Sequence, residues 1–236
     1  MIFETFPVGM LQCNCAVLGD ENTREALVID PGDEVARILE VLKRHNLKLK
    51  TIVNTHTHID HVGANEPLRQ ETGAEVLIHK ADQFLLEHLK MQALLIGVSA
   101  PPSSKADSFV TTGDSIRCGE IQLGVLHTPG HTPGSLTLES KMEIITSPNN
   151  PLFEIPPSPD ERKVLAAPRQ VLFTGDTLFL SSIGRTDLWG GSFETIMKSL
   201  AGLMSKYDDD TLVFPGHGPA TTIGRERESN PFLQEL

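Results

Sequence analysis

Positively charged side chains are scarce in this sequence of 236 residues, in which 20 lysines and arginines stand against 31 aspartates and glutamates. The formal net charge of −11 argues against a nucleic acid as partner, because proteins bind nucleic acids through many Lys and Arg contacts to phosphates. An anionic small molecule would have to be held by a few well-placed cations or by bound metal ions.

Cysteine is equally sparse, since the chain contains only Cys13, Cys15 and Cys118. Three thiols do not make a disulfide framework, and the one residue between Cys13 and Cys15 does not match the usual spacing of a structural zinc site. We therefore predict reduced thiols on strands of a cytoplasmic protein.

Long apolar runs are also missing. No stretch reaches the roughly eighteen apolar residues of a membrane-spanning helix, and no basic segment followed by a long apolar one stands at the N-terminus. These absences predict a protein without a membrane partner.

Short apolar runs rich in β-branched residues alternate with amphipathic segments along most of the chain. Residues 51–54 are typical of a buried strand, and residues 193–206 place apolar side chains on one side of a helix. This alternation favours a sheet covered by helices, an α/β class of fold. No internal repeat or linker divides the sequence, so we predict one domain over residues 1–236.

Two segments are predicted to be irregular. Residues 139–169 contain six prolines and cannot form a central strand or a helix, so they form an insertion. The preferred interpretation is a surface insertion that the fold tolerates, and the alternative is a segment that covers the active site. Residues 97–107, with Pro101 and Pro102, are either a solvated connector or a flap beside the site.

The densest chemical signal is the sequence Thr-His-Thr-His-Ile-Asp-His at residues 55–61, directly after the strand-like run 51–54. Alternate side chains of an extended segment share a face, so His56 and His58 would point the same way. If a helix follows from Gly63, the chain turns at Asp60 and His61 and offers a second direction of approach. Two ligand pairs from two directions suit two adjacent metal ions better than one.

Three more candidate ligands occur singly, each after a strand-like run and next to glycine. His131 lies between two Pro-Gly pairs, which fix the backbone around it. Asp176 ends the run Thr-Gly-Asp, and His217 lies in Pro-Gly-His-Gly.

This ordered set of motifs resembles the metallo-β-lactamase superfamily, from about residue 10 to residue 233 and interrupted by the insertion. The resemblance implies a four-layer αββα sandwich with a metal site at one edge of the two sheets. Within the superfamily the sequence is similar to the single-domain glyoxalase II-like hydrolases, also called hydroxyacylglutathione hydrolases. The segments that carry this finer similarity are Gly-Arg-Thr-Asp at 184–187 and the C-terminal residues 224–233.

The resemblance implies two divalent metal ions. The ligands implied for the first ion are His56, His58 and His131, and those for the second are Asp60, His61 and His217, with Asp176 bridging the two. Asp60 and Asp176 are the predicted catalytic carboxylates. Zinc is the preferred metal, although imidazole and carboxylate ligands also suit iron and manganese. Arg185 is the candidate substrate-binding residue, and an ion pair with Asp187 is its alternative role.

By this resemblance the protein is expected to hydrolyse a thioester such as S-lactoylglutathione, through attack by a metal-bound hydroxide. Two-domain glyoxalase II enzymes bind glutathione partly with a helical C-terminal domain that has no counterpart in this sequence, so the thiol carrier stays open. The alternative is a persulfide dioxygenase, with one Fe(II) held by His56, His131 and Asp176.

Overall fold

Two six-stranded sheets form the centre of the molecule in the computed structural model, which describes residues 1–142 and 169–234. The first sheet contains, in spatial order, β1 (Ile2–Val8), β2 (Cys13–Gly19), β3 (Glu25–Ile29), β4 (Lys48–Val53), β5 (Glu75–Ile78) and β6 (Ser108–Phe109). Strands β1 to β3 pair antiparallel, whereas β3 to β6 pair parallel.

The second sheet is mostly antiparallel. Its strands are β7 (Ser115–Cys118), β8 (Ile121–His127), β9 (Leu136–Met142), β10 (Arg169–Gly175), β13 (Leu212–Pro215) and β14 (Thr221–Thr222). Strands β7 to β10 follow one another across the sheet, β13 pairs parallel to β10, and β14 forms the far edge. A separate small hairpin consists of β11 (Leu178–Phe179) and β12 (Ser182–Ile183).

Helices cover the outer face of each sheet. On the first sheet lie α1 (Val35–Arg44), α2 (Ile59–Val62), α3 (Asn65–Thr72), α4 (Gln83–Glu87) and α5 (Leu89–Ile96). On the second lie α6 (Phe193–Lys206) and α7 (Ile223–Ser229). None of the helices in the described residues combines the length and the apolar character needed to cross a membrane.

The alternation of side chains along the strands produces three apolar layers. On β3, Val28 packs under the helices of the first sheet, while its neighbours Leu27 and Ile29 point into the space between the sheets. On β10, Leu172 packs under α6, and Phe173 faces inward. Apolar surface on both faces of both sheets requires four layers, so the predicted αββα sandwich is confirmed.

One predicted element is confirmed, and another has different bounds. The helix predicted over 193–206 is found at those residues. The predicted insertion is shorter than 139–169, because its first residues extend β9 to Met142 and its last residue begins β10. The rest of it, residues 143–168, lies outside the described residues, as does the choice between a surface excursion and a cover.

We expect the dipeptide Asn-Gly to replace residues 143–168 without loss of the fold. Met142 and Arg169 are register partners in the antiparallel ladder, so a two-residue turn can join them. Shortening the connection lowers the entropic cost of closure by about 0.6 kcal/mol per halving of its length. Urea unfolding should give a free energy no lower than that of the wild type. A loss of more than about 2 kcal/mol would show that the segment contributes to a core.

Candidate metal centre

The ends of four strands bring the candidate ligands to one edge of the sandwich. Strand β4 of the first sheet leads into the histidine-rich motif, and the β8–β9 connection of the second sheet carries His131. Strands β10 and β13 are parallel neighbours whose last residues, Gly175 and Pro215, pair with each other. They therefore deliver Asp176 and His217 side by side.

The motif changes direction within its own length. The chain bends at Thr55 and His56, is extended at His58 and becomes helical at Ile59, so Asp60 and His61 lie on the first turn of α2. The predicted second direction of approach is thus present, and the helix begins earlier than the expected Gly63. The buried side chain of Gln92 fixes this turn by accepting from Ile59 N at 2.9 Å and donating to Thr57 O at 3.1 Å.

A first group of ligands consists of three buried imidazoles. The Nδ1 atom of His58 lies 2.9 Å from Nε2 of His131. The ring of His56 lies 4.9 Å from that of His58 and 4.7 Å from that of His131, measured between centroids. One nitrogen from each ring lies within 4.8 Å of the other two, a spacing suited to one metal ion.

A second group combines two imidazoles with a carboxylate at the more exposed end of the site. His217 Nε2 lies 3.2 Å from both His61 Nε2 and Asp60 Oδ2. His61 is fully buried, whereas the side chains of Asp60 and His217 are 19% and 26% exposed. Solvent or a substrate can therefore approach the centre from the side of Asp60 and His217.

Asp176 lies between the two groups. Its Oδ1 atom is 3.5 Å from His61 Nε2, and its Oδ2 atom is 3.6 Å from His131 Nε2 and 3.8 Å from His217 Nε2. One carboxylate thus reaches both sets of imidazoles, as the predicted bridging role requires. With His56 and His61 it also forms a third possible ligand group.

Unpaired atoms show that these residues fit a cation. Within the described residues, His56 Nε2, His58 Nε2 and Asp176 Oδ1 are buried without a hydrogen-bond partner. A buried polar atom left unpaired costs on the order of 1–3 kcal/mol, and a bound cation would remove that cost. Gly216 keeps this space open, because a Cβ atom there would lie 2.3 Å from Asp176 Oδ1 and 2.8 Å from His61 Cε1.

The imidazoles of the first group are held in the neutral form, which is also consistent with metal binding. Burial, together with the neighbouring histidines, holds the pKa of His56 well below its ordinary value, and burial likewise lowers the pKa of His58. Neutral imidazoles offer a lone pair, which is the form that binds a metal ion.

Three of the rings are held in one orientation because their Nδ1 atoms donate hydrogen bonds to nearby oxygen atoms. His61 Nδ1 lies 3.0 Å from Asp30 Oδ2, so its N–H donates to a carboxylate and Nε2 is left to face the centre. In the same way, His131 donates from Nδ1 to the carbonyl of Arg185 at 2.7 Å, and His217 donates to that of Leu11 at 3.0 Å.

Asp30 was not predicted from the sequence, because an aspartate before Pro31 and Gly32 is typical of an ordinary turn. Asp30 follows β3, the parallel neighbour of β4, so its position in the sheet already places it beside the motif. Thr55 holds the carboxylate from the other side, with its N–H at 2.7 Å and its hydroxyl at 2.6 Å.

Asp82 is a second functional residue that the sequence analysis did not find. It is fully buried and accepts from Thr57 N at 3.1 Å, from the Thr132 hydroxyl at 2.8 Å and from Gly134 N at 2.6 Å. Burial raises its pKa to about 6. Its carboxylate joins the loop of His56 and His58 to the loop of His131.

Two residues near the centre do not belong to the seven candidate ligands. The guanidinium of Arg185 is exposed and makes two hydrogen bonds to Asp187, at 2.7 and 2.8 Å, so the alternative ion pair is present. Cys13 is buried on β2 with its Sγ 3.4 Å from His61 Nδ1, and burial raises the pKa of this thiol to about 12. Cys13, Cys15 and Cys118 are all free, as predicted.

The fold and the convergent ligands agree with comparisons to known proteins. The sequence profile of the metallo-β-lactamase superfamily matches residues 8–145. The chain belongs to the metallo-β-lactamase superfamily. Most members are metal-dependent hydrolases, and the cluster of histidines and aspartates described above fits such an enzyme.

Relatives of this chain include members of two enzyme classes of the superfamily. Hydroxyacylglutathione hydrolase GloC of Haemophilus influenzae is 34% identical over 235 residues, covering 99% of this chain and 98% of the relative. The human mitochondrial persulfide dioxygenase ETHE1 is 30% identical over 226 residues, covering 92% of this chain and 70% of ETHE1. A protein of Aquifex aeolicus is more similar, at 37% identity over 236 residues, covering 100% of this chain and 99% of that protein.

Solved structures confirm the superfamily fold. The B3 metallo-β-lactamase BLEG-1 superposes with a TM-score of 0.80 at 33% identity, covering 99% of this chain and all of BLEG-1. TTHA1623, solved in a di-iron-bound form, superposes with a TM-score of 0.77 at 32% identity, covering 98% and 100%.

We expect Asp30→Asn to weaken metal binding at His61. The amide keeps the size of the side chain but removes the charge that orients the imidazole, and such changes cost about 10- to 100-fold in metal affinity. Competition of the metal-free protein with a chelating dye for Zn²⁺ measures the effect. Asp33→Asn is the matched control, because Asp33 is exposed in the same turn and bonds only to the backbone of Glu34 among the described contacts. Equal affinities of Asp30→Asn and wild type would contradict the orienting role.

Proposed function

We propose that this protein is a two-metal hydrolase of thioesters, with S-lactoylglutathione as the reference substrate. The observation that carries the proposal is the presence of two complete groups of three ligands, with Asp176 between them. Such a set suits paired metal ions, which occur about 3.5–4 Å apart in two-metal hydrolases.

When bound, two divalent ions would lower the pKa of water from 15.7 toward roughly 7 and so supply a nucleophile near neutral pH. The protein itself contributes orientation. Asp30 and the carbonyls of Arg185 and Leu11 hold three imidazoles in one tautomer, and Asp82 keeps the two ligand loops together. Ligands fixed in advance need little reorganisation when charge develops on the thioester carbonyl.

The hydrolase relative supports the proposed substrate class. GloC is named for hydrolysis of hydroxyacylglutathione, and its similarity to this chain extends over nearly the full length of both proteins. We extend that activity class to this chain as a proposal. Zinc remains the preferred metal, and the di-iron form of TTHA1623 makes iron the first alternative to test.

A persulfide dioxygenase is the second candidate. It is favoured by the similarity to ETHE1 and by the short distance of 3.6 Å between His131 Nε2 and Asp176 Oδ2, two of the three ligands that one Fe(II) would need. That reaction would leave Asp60, His61 and His217 without a metal to bind. The intact second group therefore favours the hydrolase.

We expect His61→Ala to separate the two functions. In the hydrolase, the variant should lose one of about two bound ions and about 10²- to 10³-fold in turnover of S-lactoylglutathione, because one stabiliser of the transition state is lost. Metal content by mass spectrometry and thioester hydrolysis measure these effects. Oxygen uptake with glutathione persulfide is followed on the same samples.

The control is His88→Ala, which removes a histidine outside the candidate ligand groups, whose ring bonds to the carbonyl of Phe84. It should keep the metal content and turnover of the wild type. A wild type with one iron per chain, together with undiminished oxygen uptake in His61→Ala, would overturn the hydrolase and establish the dioxygenase.

A further inference from the structure

A cavity of about 480 Å³ adjoins the exposed end of the metal centre. It is lined by Ile59 and Asp60 of the motif and by Gly32. The segment after α5, from Val98 to Pro102, also lines it. This segment belongs to the loop 97–107, which is thus placed beside the site. The volume is in the range of a pocket for a small molecule.

The rim of the cavity is apolar although it faces water. Met10, Leu11 and Ile96 are 71%, 45% and 45% exposed, and all three line the cavity together with Pro101 and Pro102. Large apolar side chains left in contact with water around one concave surface are typical of a binding site. Leu11 also connects the rim to the centre, because its carbonyl accepts the Nδ1–H of His217.

The side chains of the cavity favour an uncharged ligand. Its described lining contains two carboxylates, Asp33 and Asp60, and no lysine, arginine or histidine. A carboxylate or phosphate placed there would lose water without gaining a cationic side chain as partner. An uncharged apolar group, in contrast, would bury the exposed carbon surface of the rim.

Arg185 supplies a cation near the centre, outside the described lining of the cavity. Its carbonyl accepts from His131, and its guanidinium is exposed and paired with Asp187. The common thiol carriers of cells have carboxylates or phosphates, which can compete with Asp187 for this exposed guanidinium. The cavity offers them no cationic side chain, so the acyl group is the end of the thioester that fits it.

We propose that the cavity binds an apolar acyl chain, so that the enzyme prefers thioesters with medium-length alkyl acyl groups over those with short or hydroxylated ones. The inference rests on the proposed thioester hydrolysis and adds the substrate class. The acyl chain lies between Leu11 and Ile96, the thioester carbonyl lies at the metal ligands, and the charged thiol extends past His131 toward Arg185.

Acetyl-glutathione and hexanoyl-glutathione test the inference on the metal-loaded wild type. Each fully buried methylene is worth about a fourfold gain, so the four additional methylenes should raise kcat/KM at least about tenfold even when partly buried. Binding is measured independently of turnover, by calorimetry with S-methylglutathione and S-hexylglutathione. The hexyl compound should bind at least about tenfold more tightly.

Two matched variants test whether the acyl chain lies at this rim. Ile96→Ser removes apolar surface from the rim, and it should reduce the hexanoyl-to-acetyl ratio of kcat/KM by about three- to tenfold. Leu94→Ser makes the same kind of change on the same helix, at a side chain that is 80% exposed and does not line the cavity. It should keep the wild-type ratio.

The outcomes distinguish this inference from the proposed function. Equal kcat/KM for the two thioesters together with equal binding of the two S-alkyl compounds would overturn the acyl-chain cavity and leave thioester hydrolysis standing. A ratio that falls equally in Ile96→Ser and Leu94→Ser would also overturn it. Absence of hydrolysis of any thioester by the metal-loaded protein would overturn the proposed function and the substrate class with it.

Discussion

The burial of five imidazoles and two carboxylates against one another is the constraint on which this end of the molecule depends. Burial lowers the pKa values of His56, His58 and His131, so these three imidazoles are neutral and cannot compensate Asp60 and Asp176. Asp30 adds a third carboxylate behind His61. Burying unpaired charge is costly, and breaking one partner out of such a set costs several kcal/mol. Divalent cations would remove both the excess negative charge and the unpaired nitrogens of His56 and His58. Metal binding and the stability of this edge are therefore expected to be coupled.

The sandwich makes that burial possible by supplying ligands from both sheets. Links across the sheets hold the edge closed, such as the hydrogen bond from Leu136 N to Thr55 O and the one from Asn14 N to Gly216 O. Behind the site, the rings of Phe3, Phe173 and Phe214 pack edge-on and stacked between the two layers, with centroids 5.2–5.9 Å apart. Ligands mounted on strand ends over a packed core keep their spacing better than ligands on free loops.

The parts of this arrangement that could be predicted are those with a strong local signal. The helix at 193–206 has a continuous apolar side and a serine cap, and the histidine-rich motif has no common structural alternative. Two-residue strands such as β6 and β14 have no period to recognise, because pairing with a distant neighbour creates them. The roles of Asp30 and Asp82 could not be predicted for the same reason. A single aspartate acquires its role only from what the fold places beside it, which is His61 for Asp30 and Gly134 for Asp82.

Anomalous X-ray scattering from crystals of the metal-loaded protein tests the central claim most directly. The account predicts two peaks about 3.5–4 Å apart, with Asp176 between them. One peak should lie among His56, His58 and His131, and the other among Asp60, His61 and His217. A single peak held by His56, His131 and Asp176, with the second group empty at saturating metal, would contradict the two-metal centre.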